Sequence, residues 1–327
     1  MPDTLSAELR GALASEPIDL ARAALIVAKI EYPRLDPGPT IARLDEIGDR
    51  AARRLDALPD APIDRRVAEL NRLLYDEEGF AANRLHYGDF RNSLLNVVVE
   101  RRIGIPISLA LVYMEVARRA GVEVFGVSFP GHFLLRVPAA AGEETGAMIL
   151  DPFNGGRRLN LVDCRELLRQ QAGEAIRFDR SLLEACTRRQ ILARMLNNLK
   201  RIYVELRSFP HARAVTELLL TVEPAVGAGV HGLPSRRVDR KHASRREARV
   251  PRGSRDASDA AGAKPLSFLF ELRDRGLIAY HLDDYPAALR DLEHYLRLRT
   301  WHDADREEHS RVLEHVRTLR GRVAGLN

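Results

Sequence analysis

Three short stretches of this chain hold side chains that could do chemistry together. Ser108 lies in Gly104-Ile105-Pro106-Ile107-Ser108-Leu109, and His132 in Pro130-Gly131-His132-Phe133-Leu134. Asp151 lies in Ile149-Leu150-Asp151-Pro152-Phe153-Asn154-Gly155-Gly156. In chain order these are a hydroxyl, an imidazole and a carboxylate. Such a set can draw a proton from a nucleophile while the carboxylate fixes the tautomer of the imidazole. Pro106 is tolerated in the first turn of a helix, so Ser108 falls at a helix start, where the positive end of the dipole steadies a developing anion. The dipole alone does not bring a hydroxyl into the working range. That takes His132 as general base and donors for an oxyanion. Each residue also has a structural use. Ser108 can meet a free N–H of the helix end, His132 can bond to Asp151, and Asp151-Pro152 can open a turn.

The elements that must position these groups follow from spacing. The pattern predicts a helix over 107–120, stopped by Gly121. It then predicts strands over 122–129 and 132–137, joined by Pro130-Gly131, and a third strand over 148–151 before the Asn154-Gly155-Gly156 turn. Upstream, Asn92 is expected to cap a helix that begins near Ser93. On that helix Ser93, Asn96 and Glu100 share one face among Leu94, Leu95, Val97 and Val98. The face is either solvated or a polar stripe beside the site. In the second case Asn92, Asn96, Glu100 and Arg101 back up the three candidate catalytic residues.

On either side the pattern is helical. Stripes at Leu20–Ala28, 41–58 and 67–74 read as an N-terminal helical layer. Helices are predicted over 163–171, 188–208, 212–222, 272–282 and 286–298. In the last pair, the small residues Gly276, Ala279 and Ala288 sit where two helices need close approach, beside Leu282, Tyr285 and Leu292. That pattern resembles a tetratricopeptide repeat.

Residues 89–156 resemble the transglutaminase-like core of the bacterial SirB-like family. The resemblance is carried by Asp89-Phe90-Arg91-Asn92-Ser93-Leu94-Leu95-Asn96, by the run from Glu100 to Leu109, by Pro130-Gly131-His132-Phe133-Leu134 and by the run from Asp151 to Gly156. Leu199-Lys200-Arg201-Ile202-Tyr203 and Arg273-Asp274-Arg275-Gly276-Leu277 match the helical tail of that family. The resemblance implies an α+β fold: an N-terminal helical layer, a papain- or transglutaminase-like core of helix plus small antiparallel sheet, and a tetratricopeptide-like tail. The expected divisions are 1–82, 83–180, then 181–223 with 266–327, and a basic insertion over 224–265. The wider superfamily uses Cys-His-Asp. Here His132 and Asp151 match the last two positions, and Ser108 stands where the cysteine is expected.

Cys164 and Cys186 follow the His in helical patterns and make no CxxC or metal-ligand spacing. They read as buried bystander thiols, and no metal or cofactor is expected. The net charge of +5 belongs to one segment. Ten Lys or Arg against four acids give 224–265 a charge of +6, which leaves the remainder at −1. A global case for nucleic-acid binding therefore fails. The segment lacks aromatic residues and reads as a disordered insertion, with non-specific nucleic-acid contact as the alternative. No apolar run is long enough for a membrane span and no secretory leader is visible, so a cytoplasmic location is expected. Two functions stay open: a non-catalytic regulatory module whose tail docks a protein or peptide, and a Ser-His-Asp hydrolase or acyltransferase.

Overall fold

The computed structural model describes residues 2–138, 146–173, 176–222, 266–301 and 305–324. The N-terminal layer comprises α1 (Pro2–Leu13), α2 (Leu20–Ala28), α3 (Gly38–Asp56) and α4 (Ile63–Asn71). α2 is apolar except for the exposed Arg22 and correspondingly buried, and the Asp19 carboxylate accepts the Arg22 N–H at its start. α3 is two-faced and turns Leu44, Ile47, Ala51 and Leu55 inward. After α4 the chain widens into a π-helical turn, Arg72–Glu77, which sets the buried Glu78 carboxylate among Arg43, Arg50 and Arg102.

Around the site lie β1 (Ala81–Ala82), α5 (Leu95–Arg101), β2 (Ile103–Gly104) and α6 (Pro106–Arg119). β1 and β2 pair in parallel. α6 is buried through most of its length and packs against α3 on one side and the sheet on the other. The sheet is β3 (Phe125–Val127), β4 (Leu134–Val137), β5 (Met148–Asp151) and β6 (Arg157–Leu159), all antiparallel in that order. The α+β class and the helix-then-strands order read from the sequence hold. The first two strands are shorter than predicted because the Phe129 N–H turns back to Val127 O and the His132 N–H to Phe129 O. His132 is thus in the turn before β4 rather than in a strand. Asn92 does not cap α5. It lies in a 3-10 turn, Phe90–Ser93, capped by Asp89, and Leu94 is the N-cap of the helix. Ser93 is buried and Glu100 exposed, so the expected shared polar face does not exist.

α7 (Leu161–Ala172) packs Cys164 and Leu168 on the sheet, and the tail runs through α8 (Arg188–Glu205), α9 (Phe209–Val222), α10 (Leu266–His281), α11 (Tyr285–Leu298) and α12 (Arg306–Ala324). The predicted insertion 224–265 lies outside the described residues. α8 and α9 share the main core with the N-terminal layer, and α10 reaches it through Ile278. α10, α11 and α12 also bury a second cluster around Leu272, Leu292, Tyr295 and Val316. Gly276 is required by that packing, since a Cβ there would meet Leu292 Cγ at 2.8 Å. Lys200 ties α8 to α10, with Nζ 2.6 Å from Glu271 and 2.8 Å from Asp274. Burial works against its ammonium, but the two carboxylates outweigh that and raise its pKa. Removing one partner from such a set strands buried charge. Lys200→Met is therefore expected to cost about 3 kcal/mol in urea unfolding, with faster hydrogen exchange across α10–α12 than across α6. Equal stability would show that the ion pairs do not hold the tail.

Candidate functional site

The start of α6 fixes Ser108. Ile105 is extended at the N-cap, Pro106 is N1 and Ser108 is N3. From N3 a hydroxyl can turn back over the helix end, and it does. Ser108 Oγ accepts the Ile105 N–H at 3.0 Å and donates to Asn92 O at 2.6 Å, with Ile105 O 3.1 Å away. This is half of a capping box, since the isoleucine at the N-cap has no side-chain acceptor. Ser108 is 0% exposed. Gly104 makes room for it: a Cβ there would stand 2.6 Å from Ser108 Oγ. His132 is not among the hydrogen-bond partners of Ser108.

His132 and Asp151 do meet. His132 Nε2 is 2.9 Å from Asp151 Oδ1, and both side chains are buried. Asp151 ends β5 and caps the 3-10 turn Pro152–Asn154. Its Oδ1 also accepts the Phe153 N–H at 3.0 Å, and its Oδ2 accepts the Asn154 amide at 2.6 Å. Burial alone would raise the carboxyl pKa. The His132 bond and charge, then Asn154 and Phe153, reverse this and hold it below the usual carboxylate value. Of the three residues picked out from the sequence, the fold joins two, His132 and Asp151, through their side chains.

Asn92 enters by a route the sequence did not suggest. Its carbonyl receives the Ser108 hydroxyl. Its side chain accepts from Asn83 Nδ2 at 2.9 Å and donates to His86 O at 2.7 Å. Asn83 Oδ1 in turn accepts the His86 N–H. The two asparagines pin the 83–89 loop. From that loop, the Tyr87 ring meets Phe153 edge-on at 6.0 Å, and Arg84 lies over Phe153 and bonds Asn154. Phe153 meets the His132 ring edge-on at 6.0 Å. Asn83, Arg84 and Tyr87 carried no periodic signal, because a loop brings them in, and Phe153 sits in the short 3-10 turn after β5. Asn96 is half-buried with Oδ1 unpartnered, Glu100 is exposed, and Arg101 reaches Asp89 at 3.7 Å. No hydrogen bond or ion pair among the described residues links these three to His132 or Asp151. Cys164 is buried and Cys186 half-buried, and burial pushes both thiols up to about 11. Among the described residues, no group of three His, Cys, Asp or Glu is arranged to hold a metal ion.

Residues 39–197 match the family profile described as the transglutaminase-like superfamily. A UPF0162 protein of Xylella fastidiosa is 33% identical over 286 residues, which cover 86% of this chain and 85% of that one. The chain belongs to the UPF0162 family. The Salmonella typhimurium protein SirB1 is 26% identical over 161 residues, covering 49% of this chain and 58% of SirB1. Mouse F-box only protein 21 is 36% identical over 134 residues, covering 40% of the chain and 20% of the mouse protein. No solved structure matches.

A carboxyl whose native pKa is lowered stabilises the fold above its unfolded value, near 3.9, and the contribution is lost as pH falls through the native value. The native protein should therefore exceed its Asp151→Asn variant in urea midpoint near neutrality. The gap should close as the pH falls below about 4. A gap that persists at the lowest pH would mean that Asp151 stabilises through packing rather than charge.

Proposed function

We propose that this UPF0162 protein works without covalent catalysis, as a regulatory interaction module whose transglutaminase-like core and tetratricopeptide-like tail hold a protein partner. The observation that carries this reading is the state of the Ser108 hydroxyl. A nucleophile has to be reachable and within range of its base. Ser108 is sealed from solvent, and its proton and an acceptor site are taken by backbone groups. Pro106, at the first helical position, offers no side-chain nucleophile. The His132–Asp151 pair serves the turn that carries Phe153, a sufficient structural reason for both residues. Successive packed helices after residue 187, with the close Gly276–Leu292 approach, favour a repeat-like tail of the kind that presents surfaces to peptides. The mouse F-box protein supports the module reading too, since a fifth of its length is similar to 40% of this chain. Free cysteine thiols fit a cytoplasmic setting.

A serine-reactive fluorophosphonate is the direct test. The folded protein should stay unlabelled at Ser108. Ser108→Cys should alkylate with iodoacetamide no faster than an ordinary buried thiol. Ser108→Ala should lose about 1–3 kcal/mol of stability by stranding the Ile105 N–H, and should still capture the partner from lysate. Labelling of Ser108 that disappears in His132→Ala would replace this reading with serine-based acyl transfer.

A further inference from the structure

The C-terminal half of α6, the first turn of α8, the start of α2 and the segment 121–126 surround a cavity of about 330 Å³. Pockets for small molecules run from about 300 to 1,000 Å³, so this one suits a single small organic molecule better than a nucleotide. It is at the far end of α6 from Ser108, because Arg118, which lines it, is about 15 Å further along the helix axis. Leu20, Met114, Val124 and Ile191 give it apolar walls. Ionic groups of both signs stand among them. Glu115, on α6, is 3% exposed. Arg118 and Arg119 both bond its Oε2, at 3.0 and 2.5 Å, and its Oε1 has no hydrogen-bond partner among the described residues. Carboxylates withdrawn from water are as a rule hydrogen-bonded, so Oε1 is the acceptor that Glu115 can offer to the cavity. Arg188 enters from α8, half-buried. Its Nη1 donates to Ile18 O, and no carboxylate pairs with it among the described residues. Arg118 and Glu123, both exposed, complete the ionic lining, which thus balances in charge.

We propose that this cavity binds a free α-amino acid with an apolar side chain. Its ammonium meets Glu115 Oε1, its carboxylate meets the Arg188 guanidinium, and its side chain lies among Met114, Val124 and Ile191. The charge balance of the lining favours a zwitterion. A simple anion or cation would bring an uncompensated charge into a partly enclosed site. A zwitterion adds none, and it gives one group of each sign a charge-assisted hydrogen bond. The walls reward burial of an apolar side chain and give nothing to a polar one. The proposal goes beyond the interaction-module reading and does not rest on it, since the cavity and the Ser108 hydroxyl use different residues.

The test is calorimetry on the full-length protein with L-leucine, L-methionine and L-phenylalanine. Each is compared with its N-acetyl form, which lacks the ammonium, and its carboxamide, which lacks the carboxylate. At least one of the three should bind with a Kd below about 1 mM, and its two blocked forms at least about tenfold more weakly. Glu115→Gln keeps an oxygen for Arg118 and removes the charge, and should weaken binding by about tenfold or more. Because Glu115 also holds two arginines, Arg188→Met is the second variant, with the same loss expected. The native chain supplies a further readout. Cys186 lines the cavity, so its alkylation by iodoacetamide should slow at least about fivefold when the amino acid is bound. No binding by any of the three at about 10 mM would overturn the proposal. So would undiminished binding by Arg188→Met, or Cys186 alkylation that the amino acid leaves unchanged. Equal or tighter binding of the carboxamide would also overturn it, and would give the cavity to the first residue of a peptide.

Discussion

The Ser108 hydroxyl joins two segments that the chain brings together, the start of α6 and the turn at Asn92. It takes the N–H of Ile105 at the entrance to α6 and gives its proton to the carbonyl of Asn92, sixteen residues earlier. Gly104 has to lack a side chain for this contact to form. Asn92, in turn, uses its carboxamide to hold the loop that brings Tyr87 and Arg84 onto Phe153, the ring beside His132. The position of the loop, the start of the central helix and the cover over the His–Asp pair thus depend on one buried hydroxyl. An atom held in that way is a poor attacking group. Making it available would leave a backbone N–H and a carbonyl without partners in the core.

The His132–Asp151 pair answers to different constraints. Asp151 accepts from the imidazole, from the Phe153 N–H and from the Asn154 amide, so most of its lone pairs serve the end of β5 and the turn that follows. A transglutaminase-like fold with these two residues in register need not carry out the superfamily's chemistry, because chemistry belongs to the site and not to the architecture. In this chain the fold of the superfamily is present, and the Ser108 hydroxyl is taken up by backbone groups.

Much of this could be read from residue order. The apolar periodicity of α2 and α6, the third strand at Met148–Asp151 and the close helix approach at Gly276 follow from spacing and side-chain size. Serine, histidine and aspartate could be picked out by type and context. Periodicity does not tell which backbone group a hydroxyl turns toward, so the sealing of Ser108 by Asn92 was invisible. β6, Arg157–Leu159, is three residues long with two arginines outward, too short for an alternation to register. Asn92 resembled a helix cap because asparagine is a good one, yet it lies inside a 3-10 turn capped by Asp89, α5 starts at Leu94 without a side-chain cap, and the Asn92 amide holds a loop.

The central claim, that Ser108 is structural, concerns the Ile105 amide most directly, because that N–H has the Ser108 hydroxyl as its acceptor. Amide hydrogen exchange at Ile105, compared between the native protein and Ser108→Ala under native conditions, measures that bond. The account predicts an Ile105 amide protected to the level of the α6 core in the native protein and at least about tenfold less protected in the variant. An Ile105 amide that exchanges as fast in the native protein as in Ser108→Ala would contradict it, since the hydroxyl would then be free to face His132.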